Sequence, residues 1–499
     1  MKPFRISVLT TIASALASNA ATLDKEAPRE ADGQASWPRV ILRGDYPDPS
    51  ILRDGGDFYM THSPFLYSPG FLIWHSKDLM NWTPVCRAMT KVVGSAMAPD
   101  LVKHDGRYYI YFPAAEKNWV IWSDDIRGPW SDPVRLEVGY IDPGHAVDED
   151  GRRWLFLSAG KRIRLADDGL SVAGKVEHVY DGWDYPEEWE TEGKYLESPK
   201  LLRRDGWYHK ISAEGGTAGP ATSHMAISAR SKSIDGPWEN SPHNPIVHTW
   251  SADERWWSKG HGTLVDDVAG NWWIVYHAYE KDRYPLGRQT LIDPVTWTED
   301  GWPVVSGSAP EIPAASQSMV LADDFSGPNL GPQWTTWRDS EPREIAIENG
   351  SLFLTAKGSG PADSRLLLVT ATDHSYEVAT GIQLSEGSTG GLVLFYNEKA
   401  FAGIGSDGSE FTIFHGAEQR TRAPNPFGDR FFLKIENHRN RVDLKASGDG
   451  KTWITLLEGL DVSEMHHNRF KGFFALRPGL MACGKGEVEF TRFDYRGVQ

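Results

Sequence analysis

A chain of 499 residues with 40% hydrophobic side chains is long enough for two or three packed domains. Its net charge of −16, with no basic run, excludes nucleic acid and anionic membranes as partners, and no later segment approaches the ~20 apolar residues of a membrane helix. The 21 Trp, 17 Tyr and 20 Phe suit β-structure and also suit sugar binding.

At the N-terminus, Lys2 and Arg5 precede an apolar stretch from Ile6 to Ala17, then the small residues Ser18-Asn19-Ala20. This is the pattern of a cleaved signal peptide over residues 1–20, and it predicts a secreted or periplasmic protein.

Residues 38–305 then repeat one phrase five times. The copies are Pro47-Asp48-Pro49-Ser50, Pro99-Asp100-Leu101, Ile141-Asp142-Pro143-Gly144, Leu196-Glu197-Ser198-Pro199 and Gly260-His261-Gly262-Thr263. Each is followed by a polar turn and an aromatic strand, as in Asp105-Gly106-Arg107-Tyr108-Tyr109 and Asp205-Gly206-Trp207-Tyr208. A repeat of this length with several short strands is the signature of a β-propeller, here with five blades. It carries Asp48, Asp100, Asp142, Glu197 and His261 to one axis. Asp125-Ile126-Arg127-Gly128-Pro129-Trp130 and Ser233-Ile234-Asp235-Gly236-Pro237-Trp238 read as outer blade turns, and Gly301-Trp302-Pro303 as the closure.

The Ser, Ala and Pro of residues 306–318 mark a linker. Residues 319–499 hold short strands such as Gly391-Leu392-Val393-Leu394-Phe395-Tyr396 without helical period, which predicts a two-sheet β-sandwich and an all-β chain. Cys86 and Cys483 are read as two separate thiols or as a disulfide stapling the two domains, and no Cys/His spacing suits zinc. Nothing in the sequence speaks to oligomeric state.

Gathering carboxylates costs free energy, because like charges raise one another's proton affinity and resist burial. Four inward acids therefore point to proton transfer. Cleaving a glycosidic bond needs one carboxylic acid and one carboxylate, and a third nearby can hold the first protonated.

The residues that carry a resemblance are Asp45-Tyr46-Pro47-Asp48-Pro49-Ser50, Trp74-His75-Ser76-Lys77-Asp78-Leu79-Met80-Asn81-Trp82, Glu197-Ser198-Pro199, Gly260-His261-Gly262 and Gly287-Arg288-Gln289-Thr290-Leu291. They resemble family 43 of the glycoside hydrolases, five-bladed propellers acting on xylan and arabinan side chains. The resemblance implies Asp48 as general base, Asp142 as orienter and modulator, and Glu197 as general acid. It implies inversion, with the two catalytic carboxyls about 6.5–9.5 Å apart. It also implies sugar contacts from Arg288, Phe65, Tyr67 and Thr217. Asp100 is read as a sugar contact or a strand anchor, and His261 as axial support or a ligand of a water-rich cation.

Ser198 stands where the family has Gly, and Met97 where many members have Trp, so the pocket is expected to differ in detail. The acidic stretch Pro186-Glu187-Glu188-Trp189-Glu190-Thr191-Glu192 is expected to be a solvated rim loop.

The second region resembles the sandwich that follows the propeller in family β-xylosidases, with Asp324 and Asp494 as a possible calcium pair. The resemblance thus implies an exo-acting hydrolase releasing xylose or arabinofuranose from hemicellulose or its oligosaccharides, with no cofactor for the chemistry. The alternatives are an arabinofuranosidase alone, an exo-β-galactosidase, and a non-catalytic carbohydrate-binding propeller.

Overall fold

The computed structural model describes residues 37–309, 313–339, 344–416 and 419–498. The expected signal peptide lies outside the described residues. Among them, strands account for almost all regular structure; the exceptions are one turn of α-helix, His467–Phe470, and a 3₁₀ turn, Tyr284–Leu286.

Five antiparallel blades follow the five phrases. Their innermost strands are Ser50–Asp54, Asp100–His104, Gly144–Val147, Leu196–Arg204 and Trp256–Asp266. The hairpins at Asp105-Gly106 and Asp205-Gly206 place two consecutive residues at positive φ. Such turns match the right-handed twist of the strands they join. The fifth blade is completed by Arg39–Leu42, which pairs with Arg288–Trp297. The ring is therefore closed by an N-terminal strand, and Trp302 instead fills a fully buried site beneath the Arg230 guanidinium.

The phrases fix each blade through backbone shape. A non-glycine residue at positive φ opens or interrupts each inner strand: Asp48 (φ 56°), Ala98 (φ 41°), Asp142 (φ 56°), Ser198 (φ 53°) and His261 (φ 56°), with Ser258 (φ 52°) a second in the fifth. This conformation is costly for residues with a Cβ, so its recurrence marks the true register. Asp48, Asp142 and His261 are equivalent, as expected. Asp100 and Glu197 are not. Asp100 matches Ser50, Gly144, Lys200 and Thr263, while Glu197 stands one residue before Ser198.

The sandwich comprises an eight-stranded and a seven-stranded sheet around one core that includes Leu392, Phe395, Leu433 and Phe490. It is fused to the propeller rather than tethered to it. Tyr67–Ser68 of blade one adds an edge strand beside Thr335–Trp337 of the larger sheet. Ser316–Gln317, within the expected linker, runs parallel to Asn81–Met89 as an extra strand on the same blade. Cys86 and Cys483 are both free thiols.

Candidate active site

Asp48 is almost fully buried, and its carboxylate is surrounded by donors. Arg288 Nη1 donates to Oδ1 at 3.0 Å, and the Ser63 hydroxyl donates to Oδ2. His277 Nδ1 accepts the Asp48 backbone N–H at 3.0 Å, which fixes the hydrogen of that ring on Nε2, facing Thr217 Oγ1 at 3.0 Å. Burial alone would raise the proton affinity of Asp48. The Arg288 guanidinium leads the groups that more than reverse this, and the carboxyl is held well below the usual range.

Arg288 is itself buried. Its backbone N–H donates to Asp45 Oδ1 at 3.2 Å. A Cβ on the preceding Gly287, which lies at φ 84°, would fall 2.4 Å from that same oxygen, so only glycine lets the two chains meet here.

Asp142 and Glu197 behave in the opposite way. Burial, then the negative charges of Glu197 and Asp48, push the Asp142 carboxyl well above its ordinary value. Burial, then Asp48 and Glu192, push Glu197 up to about 7. Between them the two groups retain a proton at neutral pH, while Asp48 stays ionised. His261 Nδ1 lies 3.5 Å from Asp48 Oδ1 and 3.8 Å from Asp142 Oδ2, and burial pushes its proton affinity down to about 3. It is a neutral spacer between two carboxyls. Glu197, offset by one residue from the axial ring, is half-buried, whereas Asp48 and Asp142 are buried.

The other expected site residues divide. Thr217 reaches the site only through His277. Phe65 borders it, with its ring 5.6 Å from the Arg288 guanidinium carbon. Tyr67 does not wall the pocket: its ring is buried against Trp337 and Phe474 under the Arg477 guanidinium, because its strand belongs to the sandwich sheet. Asp100 does not face a sugar either. Lys200 Nζ holds its Oδ1 at 2.8 Å and the His145 N–H holds its Oδ2 at 2.7 Å, so it anchors blades at the axis.

Several functional residues were not legible beforehand. Ser63 and His277 lie outside the repeated phrase and meet Asp48 only in three dimensions. The largest omission is in the sandwich, where the segment around His467–Phe470 crosses the mouth of the propeller. Asn468 exchanges hydrogen bonds with the backbone of Gly219, and Leu476 N–H donates to Pro285 O at 2.8 Å. The Phe473 ring, stacked on His467 at 3.7 Å, lies 5.3 Å from the Arg288 guanidinium carbon, which also lies 5.6 Å from the Phe65 ring.

The acidic rim segment is ordered by contacts of its own. Its Glu192 Oε2 accepts the Ala218 N–H at 2.8 Å, and Trp189 stacks on His248 at 4.8 Å. Trp189 is thereby half-buried rather than presented to an incoming chain. The exposed aromatics near the acids are Tyr140 and Tyr195, each two residues before Asp142 or Glu197.

Two groupings bear on metal binding. Asp48, His261 and His277 lie close enough to share an ion. Their donors do not fit one: Asp48 Oδ1 holds Arg288, His277 Nδ1 holds a backbone N–H, and imidazoles are poor ligands for a hard cation. Of the two acids expected to share a calcium, Asp324 accepts the Ser326 N–H and Asp494 pairs with Arg492 at 2.8 Å.

Comparisons with known proteins agree with this geometry. A family model described as "Glycosyl hydrolases family 43" matches residues 37–303, and one described as "Beta xylosidase C-terminal Concanavalin A-like domain" matches residues 322–496. A xylosidase/arabinosidase of Humicola insolens is 30% identical over 92% of this chain and 97% of that protein. A non-reducing-end α-L-arabinofuranosidase of Bacteroides ovatus is 31% identical over 61% of this chain and 62% of its own length. Among solved structures, a xylan β-1,4-xylosidase of Bacillus halodurans superposes with a TM-score of 0.80 at 28% identity, over 91% of this chain and 99% of that one.

Proposed function

The chain belongs to family 43 of the glycosyl hydrolases, and from that premise we propose that it releases single xylose or arabinofuranose units from the non-reducing ends of hemicellulose or its oligosaccharides. One observation carries the mechanism: a carboxylate kept ionised by Arg288 shares a pocket with a carboxyl pair that keeps a proton.

Asp48 accepts a proton from water as that water attacks the anomeric carbon. Glu197 donates its proton to the departing glycosidic oxygen, so the C–O bond breaks without releasing an alkoxide. Asp142, across His261 from Asp48, raises the proton affinity of the acid pair and orients it. A single displacement of this kind inverts the anomeric centre. The chemistry uses side chains alone, with no cofactor.

Exo action is supported by the sandwich. Phe473 and Phe65 both pack near Arg288, and the Asn468–Gly219 contact ties the sandwich to the propeller beside them, which favours a site closed to extended chains. The Humicola insolens relative's double name and the Bacteroides ovatus relative's single one leave xylosidase and arabinofuranosidase as activities of one pocket. The N-terminal pattern supports export to the periplasm or medium, where such substrates occur.

The test is a panel of nitrophenyl β-xyloside, α-arabinofuranoside and β-galactoside. Turnover of either pentoside, with little of the galactoside, is expected. Binding of xylo-oligosaccharides without turnover of any member would overturn the enzymatic reading in favour of a binding propeller.

A further inference from the structure

Directly below the ring of left-handed residues lies a second ring: Ser50, Asp100, Gly144, Lys200 and Thr263. Gly144 contributes no side chain, and could not, since a Cβ there would fall 1.6 Å from Pro199 O. Ser50 and Thr263 are short and satisfy neighbours: Ser50 Oγ accepts the Leu101 N–H, and Thr263 donates to Pro49 O at 3.1 Å. Lys200 alone is long enough to cross the axis. Its ammonium, buried with its whole side chain, donates to Pro99 O at 2.9 Å, Asp100 Oδ1 at 2.8 Å and Pro143 O at 3.2 Å. All three N–H donors are used. The acceptors are two backbone carbonyls and a carboxylate from two other blades, the kind of oxygen set that hard cations take. Pro143 follows Asp142 directly, so the ammonium holds the carbonyl of the residue next to the modulator.

We propose that Lys200 is the resident cation of the propeller axis, holding Asp142 in place from below and setting how tightly the Asp142–Glu197 pair keeps its proton. It touches no sugar and is a positioning residue. The proposal rests on the acid–base roles given above. The charged groups facing the pair are Asp48 and Glu192, which favour retention of the proton, and Arg288 and Lys200, which oppose it. His261, neutral, separates Asp142 from Asp48. Asp100 masks part of the charge of Lys200 from the other side.

Opposite changes at the two ends of this ion pair should therefore move the acid pair in opposite directions. In Lys200→Met the basic limb of kcat/KM should rise by about 0.5–1 pH unit, as a nearby positive charge is lost. In Asp100→Asn it should fall by a comparable amount, as the ammonium is unmasked. Lys200→Met combined with Asp100→Asn should return the limb to near the wild-type position, and it also guards against a single variant failing to fold. The wild type should keep its kcat/KM after dialysis against EDTA and gain nothing from added calcium.

Carboxyl titration by ¹³C NMR of Asp/Glu-labelled protein reads the same order without turnover, so failure of the catalytic reading is distinguishable from failure of this one. Unchanged titration in both single variants, shifts of the same sign, or calcium activation of the wild type would overturn the proposal.

Discussion

Replacing Arg288 by Met should convert Asp48 from a permanently ionised base into one that titrates in the working range. The guanidinium donates to Asp48 Oδ1 at 3.0 Å, and both groups are buried. Two unit charges about 4 Å apart at an effective dielectric of about 20 interact by about 4 kcal/mol. At about 1.4 kcal/mol per pKa unit this corresponds to a shift of about three units at most. Ser63 and His277 remain beside the carboxylate, so the observed shift should be about one to three units. A base works only when ionised, so activity is lost as pH falls through its pKa; raising that pKa moves the acid limb of kcat/KM upward. The assay is kcat/KM for nitrophenyl β-xyloside against pH, with thermal unfolding of each variant as a control. Arg288→Lys keeps the charge and should shift the limb less, while weakening sugar binding through loss of the planar fork. If Arg288→Met lowers kcat/KM uniformly and leaves the acid limb in place, Arg288 serves only the sugar and the electrostatic account of Asp48 is wrong.

The basic limb of the wild type should fall through about pH 7, where Glu197 loses its proton, and Glu192→Gln should move it lower because one repelling charge is gone; a limb that stays put would remove Glu192 from the account. Phe473→Ala should open the mouth, raising KM for a monosaccharide glycoside about tenfold, the ~1.4 kcal/mol of one aromatic contact, and improving the relative rate on longer chains. Equal losses on all chain lengths would indicate that the segment only supports the fold. Proton NMR of the first sugar released should show the inverted anomer, and a retained one would exclude direct attack on the anomeric carbon by a water that Asp48 deprotonates.

The propeller was legible because each blade repeats a turn and an aromatic strand, a pattern that backbone geometry imposes whatever the chemistry. Its register was harder to read. Aligning acids by type placed Asp100 and Glu197 with Asp48, whereas the structure aligns by the left-handed residue, which in four of five blades is the one before proline. That marker was present at Ala98-Pro99 and Ser198-Pro199. Asp48, Asp142, Glu197 and Arg288 were recoverable from short phrases. Ser63, His277 and Phe473 were not, because none lies in the repeated phrase or in the short motifs that carry the resemblance. Tyr67, a sugar contact by resemblance, is turned away because its short strand pairs with Thr335–Trp337 of the sandwich, a pairing no local phrase reveals.

The central claim is that Asp48 and Glu197 divide the proton work between them, one as base and one as acid. Its most direct test is turnover by Asp48→Asn and Glu197→Gln of two aryl β-xylosides, one with a good leaving group and one with a poor leaving group. With unfolding temperatures close to the wild type, Asp48→Asn should lose both activities. Glu197→Gln should lose the poor-leaving-group substrate and retain part of the other, since a good leaving group departs without a proton. Equal losses on both substrates in Glu197→Gln, or substantial activity in Asp48→Asn, would contradict the account.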